Sequence, residues 1–291
     1  MRLPFIKMHG LGNDFILVDG VSRQLPAEDW SSLARLVNDR HGGIGGDGLI
    51  LILKGESAPF KMRMFNPDGS EAEMCGNGIR CVGKYVWEAG LWSKENVPVE
   101  TGAGLLDLKL NIEGNRVRSV TVDMGKARTK RREIPMQGPP EEEALSFELQ
   151  VNGASFLAGA VSMGNPHCVI FVPDVEEVNV EEWGPKLETH PLFPERTNVH
   201  FAQVLSPREI LQRTWERGAG KTLACGTGAC AVQAVAYLTG RTEEEALIHL
   251  PGGDLFIAVK DDRTVLMTGP AEAVFEGVWE TVYAAPERVL R

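Results

Sequence analysis

The sequence predicts a mixed α/β fold built as two structurally equivalent halves. Three observations carry that expectation. Two cysteine–glycine motifs, "EMCGNGIRC" at 73–81 and "LACGTGAC" at 223–230, place Cys75 and Cys225 150 residues apart. Around them, at the same spacing, Arg63 answers Arg213, Phe65 answers Trp215, Asn66 answers Glu216 and Gly90 answers Gly240; nearer the start of each half, "GLGNDFILVD" resembles "SMGNPHCVIFVPD" at an offset of 152. An ordered series at nearly constant spacing marks an internal duplication. Finally, apolar alternation and helical periodicity follow each other in the same order in both halves.

In the first half "FILVDG" alternates as a strand does, and "PAEDWSSLARLVNDR" reads as a helix opened by Pro26 and acidic residues. "LILIL" and "FKMRMFN" are strands. "GIRCVGKYVWEAG" puts Ile79, Val82, Val86 and Ala89 on one helical face, and Gly90 stops it. A strand "VPVET" follows, then a hairpin turning at Glu113-Gly114-Asn115. The second half repeats the order: a hairpin at Asn152-Gly153, the strand "HCVIFV", a short helix "VEEWGPKLETH", strands "NVHFAQVL" and "ILQRTWE", the helix "GTGACAVQAVAYLTG" ended by Gly240, and hairpins at Gly252-Gly253 and Asp261-Asp262. The tail "AEAVFEGVWETVYAA" is one strand or hairpin more than the second half needs, and is expected to return and complete the first. The seam falls near "MGKARTKRREIPMQGPPEEE", which is rich in charge, Gly and Pro. The expected domains are residues 1–122 plus 271–291, carrying Cys75, and residues 123–270, carrying Cys225.

The chain has 291 residues, 43% of them hydrophobic, which suits globular domains with sizeable cores. With 30 Lys+Arg against 40 Asp+Glu it carries a net charge of −10, so neither nucleic acid nor an anionic membrane is an expected partner. The apolar runs are far shorter than the roughly 20 residues that span a bilayer. The opening "MRLPFIKMHGLGNDF" has no sustained apolar core, and no signal peptide is expected. Five cysteines, an odd number in a chain this long, point to reduced thiols in a cytoplasmic protein.

Each motif runs strand, polar loop, Cys, Gly-x-Gly, helix. Glycine lets a ligand approach the backbone closely. The helix that follows turns its unpaired N–H groups and positive dipole end toward the cysteine. Such an end lowers a thiol pKa and also binds a carboxylate. Two such ends related by a pseudo-twofold axis would flank one small molecule from opposite sides of a cleft. That is the geometry for inverting a carbon centre: one thiolate removes the α-proton and the opposite thiol delivers another. Cys81, Cys168 and Cys230 sit in apolar helix or strand positions and read as core. The cysteine spacings do not make a zinc site, so no metal is expected. C-x-x-C is absent, and "GIGGDG" lacks the Lys-Ser/Thr of a phosphate loop.

The segments "MHGLGNDF", "FNPDGSEAEMCGNGIRC", "VSMGNPHCVIF", "ERTN", "ERGAGKTLACGTGAC" and "MTGPA" strongly resemble the diaminopimelate epimerase family, in order and over almost the whole chain. The resemblance implies a pseudo-symmetric pair of α/β domains, each a mixed, largely antiparallel sheet curled around a central helix, with the active site in the cleft between them. It implies an isomerase that converts LL-2,6-diaminopimelate to the meso form without pyridoxal phosphate, metal or other cofactor, in lysine and peptidoglycan precursor biosynthesis, and commonly as a homodimer. Cys75 and Cys225 resemble the catalytic thiols. Asn13, Asn66, Asn165 and Asn198 resemble the asparagines that hold the two ends of the substrate. Glu216 and Arg217 resemble the acidic–basic pair near the reacting centre; Gly76, Asn77, Gly226 and Thr227 resemble the backbone donors on the carboxylate. His167 and Glu216 resemble residues that tune the thiol pKa values. The sequence departs from the family at Gly48, where many bacterial members carry a substrate-touching Gln. A related cofactor-independent racemase of proline, hydroxyproline or another amino acid is the alternative enzyme, and a non-catalytic amino acid binding protein the alternative of another class.

Amide side chains suit a substrate that is a zwitterion at both ends, because each offers a donor and an acceptor. Arg217 can add a bidentate carboxylate contact. The α-proton is a very weak acid, so the helix ends must also stabilise charge that builds on the carboxylate as the proton leaves.

Overall fold

The computed structural model describes residues 2–25 and 29–280. The chain divides into two compact units, Met1–Val122 with Pro270–Arg291, and Asp123–Gly269.

The first unit begins with β1 (Arg2–Gly10) and β2 (Asn13–Asp19), followed by α1 (Trp30–Asn38), β3 (Gly48–Lys54), β4 (Phe60–Phe65) and the two-residue β5 (Glu71–Ala72). Then come α2 (Gly76–Glu88), β6 (Asn96–Thr101), β7 (Gly104–Glu113) and β8 (Arg116–Lys126), within which the boundary falls. The second unit holds η1 (Arg131–Glu133), β9 (Phe147–Val151), β10 (Ala154–Ser162), β11 (Pro166–Phe171), α3 (Val180–Glu188), β12 (Asn198–Ser206), β13 (Glu209–Glu216), β14 (Gly220–Thr222), α4 (Gly226–Leu238), β15 (Glu245–Leu250), β16 (Gly253–Val259) and β17 (Thr264–Gly269). The last strand, β18 (Glu272–Glu280), returns to the first unit and pairs antiparallel with β1.

Strand pairing repeats from one unit to the next. In the first the order is β18-β1-β2-β3-β4-β6-β7-β8, with β2–β3 and β4–β6 parallel and the other neighbours antiparallel. In the second it is β9-β10-β11-β12-β13-β15-β16-β17, with β11–β12 and β13–β15 the parallel pairs. The short strands β5 and β14 each hang antiparallel on the strand before them, β4 and β13. In both units the long helix starts four residues after that short strand.

Within each unit the sheet curls about this helix. α2 touches β1 and β2 near one end of the sheet order and β7 near the other, and α4 touches β10, β11 and β12 as well as β15, β16 and β17. The sequence shows why. Ile79, Val82 and Val86 are fully buried, each worth about 1.5–3 kcal/mol in removed apolar surface. In α4 almost every residue is apolar or small, the pattern of a helix enclosed on all sides. The outer face of the first sheet is covered by α1 through Leu33, Ala34 and Val37 against Ile16, Val18, Leu49 and Leu51. α3 does the same in the second unit with Val180 and Leu187 against Ile170, Val199 and Phe201.

Some local readings change. Ala89 is not part of the buried face of α2; it is the C-cap and exposed, because the helix has already run out of sheet to cover. Gly90 and Gly240 end their helices at φ +71, a left-handed conformation glycine adopts without strain. Asp29 caps α1 by accepting from Ser32 N; the proposed opening at Pro26 lies outside the described residues, as do residues 281–285 of the tail. β1 was not anticipated, since "RLPFIKMHG" mixes charge and Pro with its apolar residues. It is a strand because both its neighbours supply backbone partners.

Candidate active site

Cys75 and Cys225 occupy the same structural position, the N-cap of the buried helix of each unit. Both have extended backbone angles, φ −141 and ψ 118 for Cys75, φ −125 and ψ 107 for Cys225, and each backbone carbonyl accepts the first helical bond, from Ile79 N and Ala229 N. The N–H groups of Gly76 and Asn77, and of Gly226 and Thr227, open the helices and have no carbonyl a full turn behind them in the helix. The two caps differ in detail. Cys75 is half-buried, and its Sγ accepts from Gly78 N at 3.5 Å. Cys225 is buried, 4% exposed, with Sγ 3.7 Å from Thr227 Oγ1.

In the first unit, Asn13 and Asn77 join Cys75. Arg80, fully buried, donates to Asn77 Oδ1 at 3.0 Å; Asn77 Nδ2 donates to Asn13 Oδ1 at 3.2 Å; Asn13 Nδ2 donates to Asp47 Oδ2 at 2.8 Å. Arg40 binds the other oxygen of Asp47 at 2.7 Å. A guanidinium can only donate and an ionised carboxylate can only accept, so the charges at the two ends fix the orientation of both amides between them. Cys75 Sγ lies 4.0 Å from Asn13 Oδ1. Asn66 stands apart from this chain: its backbone N–H binds Ser70 O at 2.8 Å and its Nδ2 binds Ser70 Oγ at 3.0 Å, in the turn after β4.

In the second unit the candidates form two groups. Asn165 and His167 are hydrogen-bonded, Oδ1 to Nε2, at 2.8 Å, and His167 is joined to His200 at 2.9 Å. Asn198 is buried with its amide on backbone: Nδ2 donates to Pro166 O at 2.9 Å and Oδ1 accepts from Arg217 N at 2.9 Å. It ties the starts of β11 and β12 to the end of β13 and keeps one N–H and one lone pair for a further partner. The Arg217 guanidinium donates to Glu195 O at 3.0 Å. Glu216 is the last residue of β13, and its negative charge bears on the Cys225 thiol.

Electrostatics separate the groups. Burial above all, then the negative charge of Glu216, pushes the Cys225 thiol well above its ordinary value. This corrects the expectation that a helix N-terminus lowers the thiol pKa: here dehydration and a carboxylate outweigh the dipole, and Cys225 is held as a neutral acid. Burial, helped by His200 and the charge of Arg217, pushes His167 well below the usual histidine range; burial alone takes His200 to about 3. Both rings are neutral at pH 7. Cys81 and Cys168 are core thiols raised by burial to about 12, and Cys230 is fully buried. Among the described residues no three His, Cys, Asp or Glu side chains gather as a metal site would, and no helix is long and apolar enough to cross a membrane.

Three supporting residues escaped the sequence reading. Asp47 lies in the "GIGGDG" loop, which serves to present its carboxylate to Asn13 and not to cradle phosphate. Arg80 was hidden inside a helix, one turn after Asn77. His200 lies two residues beyond Asn198 on an alternating strand and so shares its face. Gly48 is boxed in: a Cβ there would meet Met64 Cε at 2.9 Å and Phe65 O at 3.2 Å, so a larger residue needs the methionine to move.

The family model for diaminopimelate epimerase matches residues 5–130 and 159–274. The chain is 55% identical over 275 residues to a diaminopimelate epimerase of Pelotomaculum thermopropionicum, covering 94% of this chain and 98% of that one. It is 49% identical over 277 residues to that of Geobacillus thermodenitrificans, covering 94% and 96%. Among solved structures, a probable proline racemase from Agrobacterium radiobacter matches with a TM-score of 0.70 at 14% identity, over 98% of this chain and 94% of that one. A phenazine biosynthesis protein of the PhzF family from Bacillus anthracis matches with 0.70 at 17%, over 97% and 100%. At such identities these two show the fold alone. The near-full-length matches at about half identity do more, and with the family model they settle the assignment: this chain belongs to the diaminopimelate epimerase family.

Proposed function

We propose that this member of the diaminopimelate epimerase family inverts the α-carbon of LL-2,6-diaminopimelate with two thiols, Cys75 and Cys225, acting on opposite faces. The observation that carries the reading is the equivalence of the two cysteines, each the N-cap of the buried helix in units of identical strand pairing. Cys225, held neutral by burial and Glu216, serves as the acid when Cys75 is the base, and the roles exchange for the reverse reaction. A matched acid and base titrate together, so their pKa values belong to the pair.

Around them, the free N–H groups of Gly76, Asn77, Gly226 and Thr227 stabilise charge that builds on the carboxylate as the α-proton leaves. Asn13, Asn66, Asn165, Asn198, Glu216 and Arg217 hold the amino and carboxylate groups of the two ends. His167 and Glu216 tune the acidity of the thiols. No cofactor is required. Residues 1–122 plus 271–291 and residues 123–270 are the two functional halves, each supplying one thiol. The place of action is the cytoplasm, where thiols stay reduced. The active species is a homodimer. β18, paired with β1, leaves Val274, Phe275 and Val278 about half exposed, an apolar edge suited to a second copy of the chain.

The test is inversion of LL-diaminopimelate in D₂O followed by NMR. Two thiols on opposite faces give early product with deuterium at the inverted carbon while unreacted substrate keeps protium. Cys75→Ala and Cys225→Ala each abolish inversion. Early product that retains the original proton, or near-normal inversion by either variant, excludes the two-thiol mechanism.

A further inference from the structure

The second unit contains a buried run of polar groups that ends on Asn165. His200 Nδ1 lies 3.0 Å from Thr214 Oγ1 and 3.3 Å from Gln212 Nε2, and Gln212 Nε2 donates to Thr214 Oγ1 at 2.9 Å. His200 Nε2 lies 2.9 Å from His167 Nδ1, and His167 Nε2 lies 2.8 Å from Asn165 Oδ1. Gln212, His200 and His167 are fully buried, and Thr214 nearly so.

Each neutral imidazole has one donor and one acceptor nitrogen, so the run has a direction. The Gln212 amide group faces His200 Nδ1 with hydrogens. Thr214 Oγ1 already accepts from Gln212 Nε2, which leaves its hydroxyl proton to go to Nδ1; a proton on Nδ1 would instead set donor against donor toward Gln212, so Nδ1 is bare and Nε2 carries the proton. That proton goes to His167 Nδ1, which is therefore bare in turn. His167 Nε2 then carries a proton and donates it to Asn165 Oδ1. The carbonyl end of Asn165 is occupied, and its NH₂ group remains for a ligand. Reversing any one bond reverses them all and turns the Asn165 carbonyl outward.

The ring of His200 is held by its neighbours. It lies against the first turn of α4, where a Cβ at Gly228 would meet its Cε1 at 2.3 Å, so only glycine at that position leaves the ring its place. The ring pair is tilted, with centroids 5.1 Å apart.

We infer that His200 is a positioning residue: through His167 it orients the Asn165 amide so that its NH₂ group is presented to a carboxylate of the substrate. This rests on the reading of Asn165 as a substrate ligand. The near-complete burial of the run, and the neutrality that burial imposes on both rings, keep the direction from being scrambled by protonation or by water. The role is separate from acid–base catalysis, since His200 acts only through other side chains.

The test has two arms. Nitrogen-15 labelling of histidine in the full-length enzyme, with long-range proton–nitrogen correlation spectra, reads the tautomers directly. His167 and His200 should both be neutral with the proton on Nε2. A proton on Nδ1 of either ring overturns the inference, whatever the variants do. Kinetically, His200→Phe removes the donor to His167 and should raise KM for LL-diaminopimelate about tenfold, one lost hydrogen bond, with kcat within about twofold. His200→Gln, which can place an amide N–H where Nε2 stood, should restore KM to near the parent value. Asn165→Ala separates this idea from its premise. If Asn165→Ala raises KM and folded His200→Phe does not, the relay has no part in binding and the inference is wrong. If Asn165→Ala leaves KM unchanged, Asn165 is not a ligand, and the reading beneath the inference fails with it. Should His200→Phe fail to fold, the tautomers of the parent enzyme still decide.

Discussion

The negative charge of Glu216 bears on the thiol of Cys225, which is shut away from solvent. A negative charge beside a thiol opposes a second one, and burial opposes it further. Glu216→Gln keeps the shape and removes the charge. The thiol pKa should fall, so that more thiolate is present at a given pH. Timed alkylation with iodoacetamide at pH 8, read at Cys225 by peptide mass spectrometry, should be correspondingly faster in the variant. Equal rates would mean that the carboxylate does not hold the proton on Cys225.

In the first unit a buried charge, Arg80, stands in the helix that Cys75 caps. Arg80 donates to Gly76 O, Asn77 Oδ1 and Pro270 O from a fully buried position. Arg80→Met would leave these acceptors without that donor inside the protein, at a cost of about 3 kcal/mol. It would also free the Asn77 and Asn13 amides to turn. Urea denaturation should show that loss of stability, and kcat/KM should drop about tenfold or more in the protein that remains folded. A variant with parental stability and kcat/KM would show that the guanidinium holds neither the helix end nor the amides.

The two helices, the cysteine and Gly-x-Gly turn ahead of each, and their glycine stops were legible because each rests on local chemistry: glycines that permit a tight turn, a glycine that can turn left-handed, and a face with one periodicity. The repeat supplied the rest of the order. Asp47, Arg80 and His200 were not legible for a different reason. Each matters through a partner more than 30 residues away, or through a bond whose direction depends on a third group, and no spacing records that. Arg80 looked like an ordinary helix charge, and its burial is known only once β1 and Pro270 are in place around it. The Cys225 pKa was misjudged because the dipole is local and visible in the sequence, whereas the burial that outweighs it belongs to the fold.

Phe275 on β18 is about half exposed although it packs edge-to-face on Phe5, with ring centroids 5.8 Å apart. If this edge covers a second copy, a charge there should be costly to association and cheap for folding. Phe275→Asp should shift sedimentation from dimer to monomer while leaving circular dichroism unchanged. A parent enzyme that sediments as a monomer, or a variant that stays dimeric, would assign this edge no role in assembly.

The buried histidines set an acid limit on stability whose sign follows from their direction of shift. His167 and His200 are both displaced downward, His200 to about 3, so the folded protein keeps them neutral where the unfolded chain does not. Their contribution is complete above the unfolded histidine pKa of about 6.5 and is lost as pH falls below it toward the folded values. Two uncompensated protons correspond to about 4 kcal/mol between pH 7 and pH 5, before most carboxylates begin to titrate. Urea midpoints measured across that interval should fall steeply, and His200→Gln should reduce the slope by about half, because one titrating ring is gone. The buried thiols act in the opposite direction. Cys81 and Cys168 at about 12, and Cys225 well above its ordinary value, favour the folded state's protons, so stability also declines as pH rises above about 9. The stability maximum should therefore lie between about pH 6.5 and 9. A profile flat from pH 7 to pH 5 would mean that both rings take up protons in the folded protein as they do in the unfolded chain, and would remove the neutral relay on which the orientation of Asn165 depends.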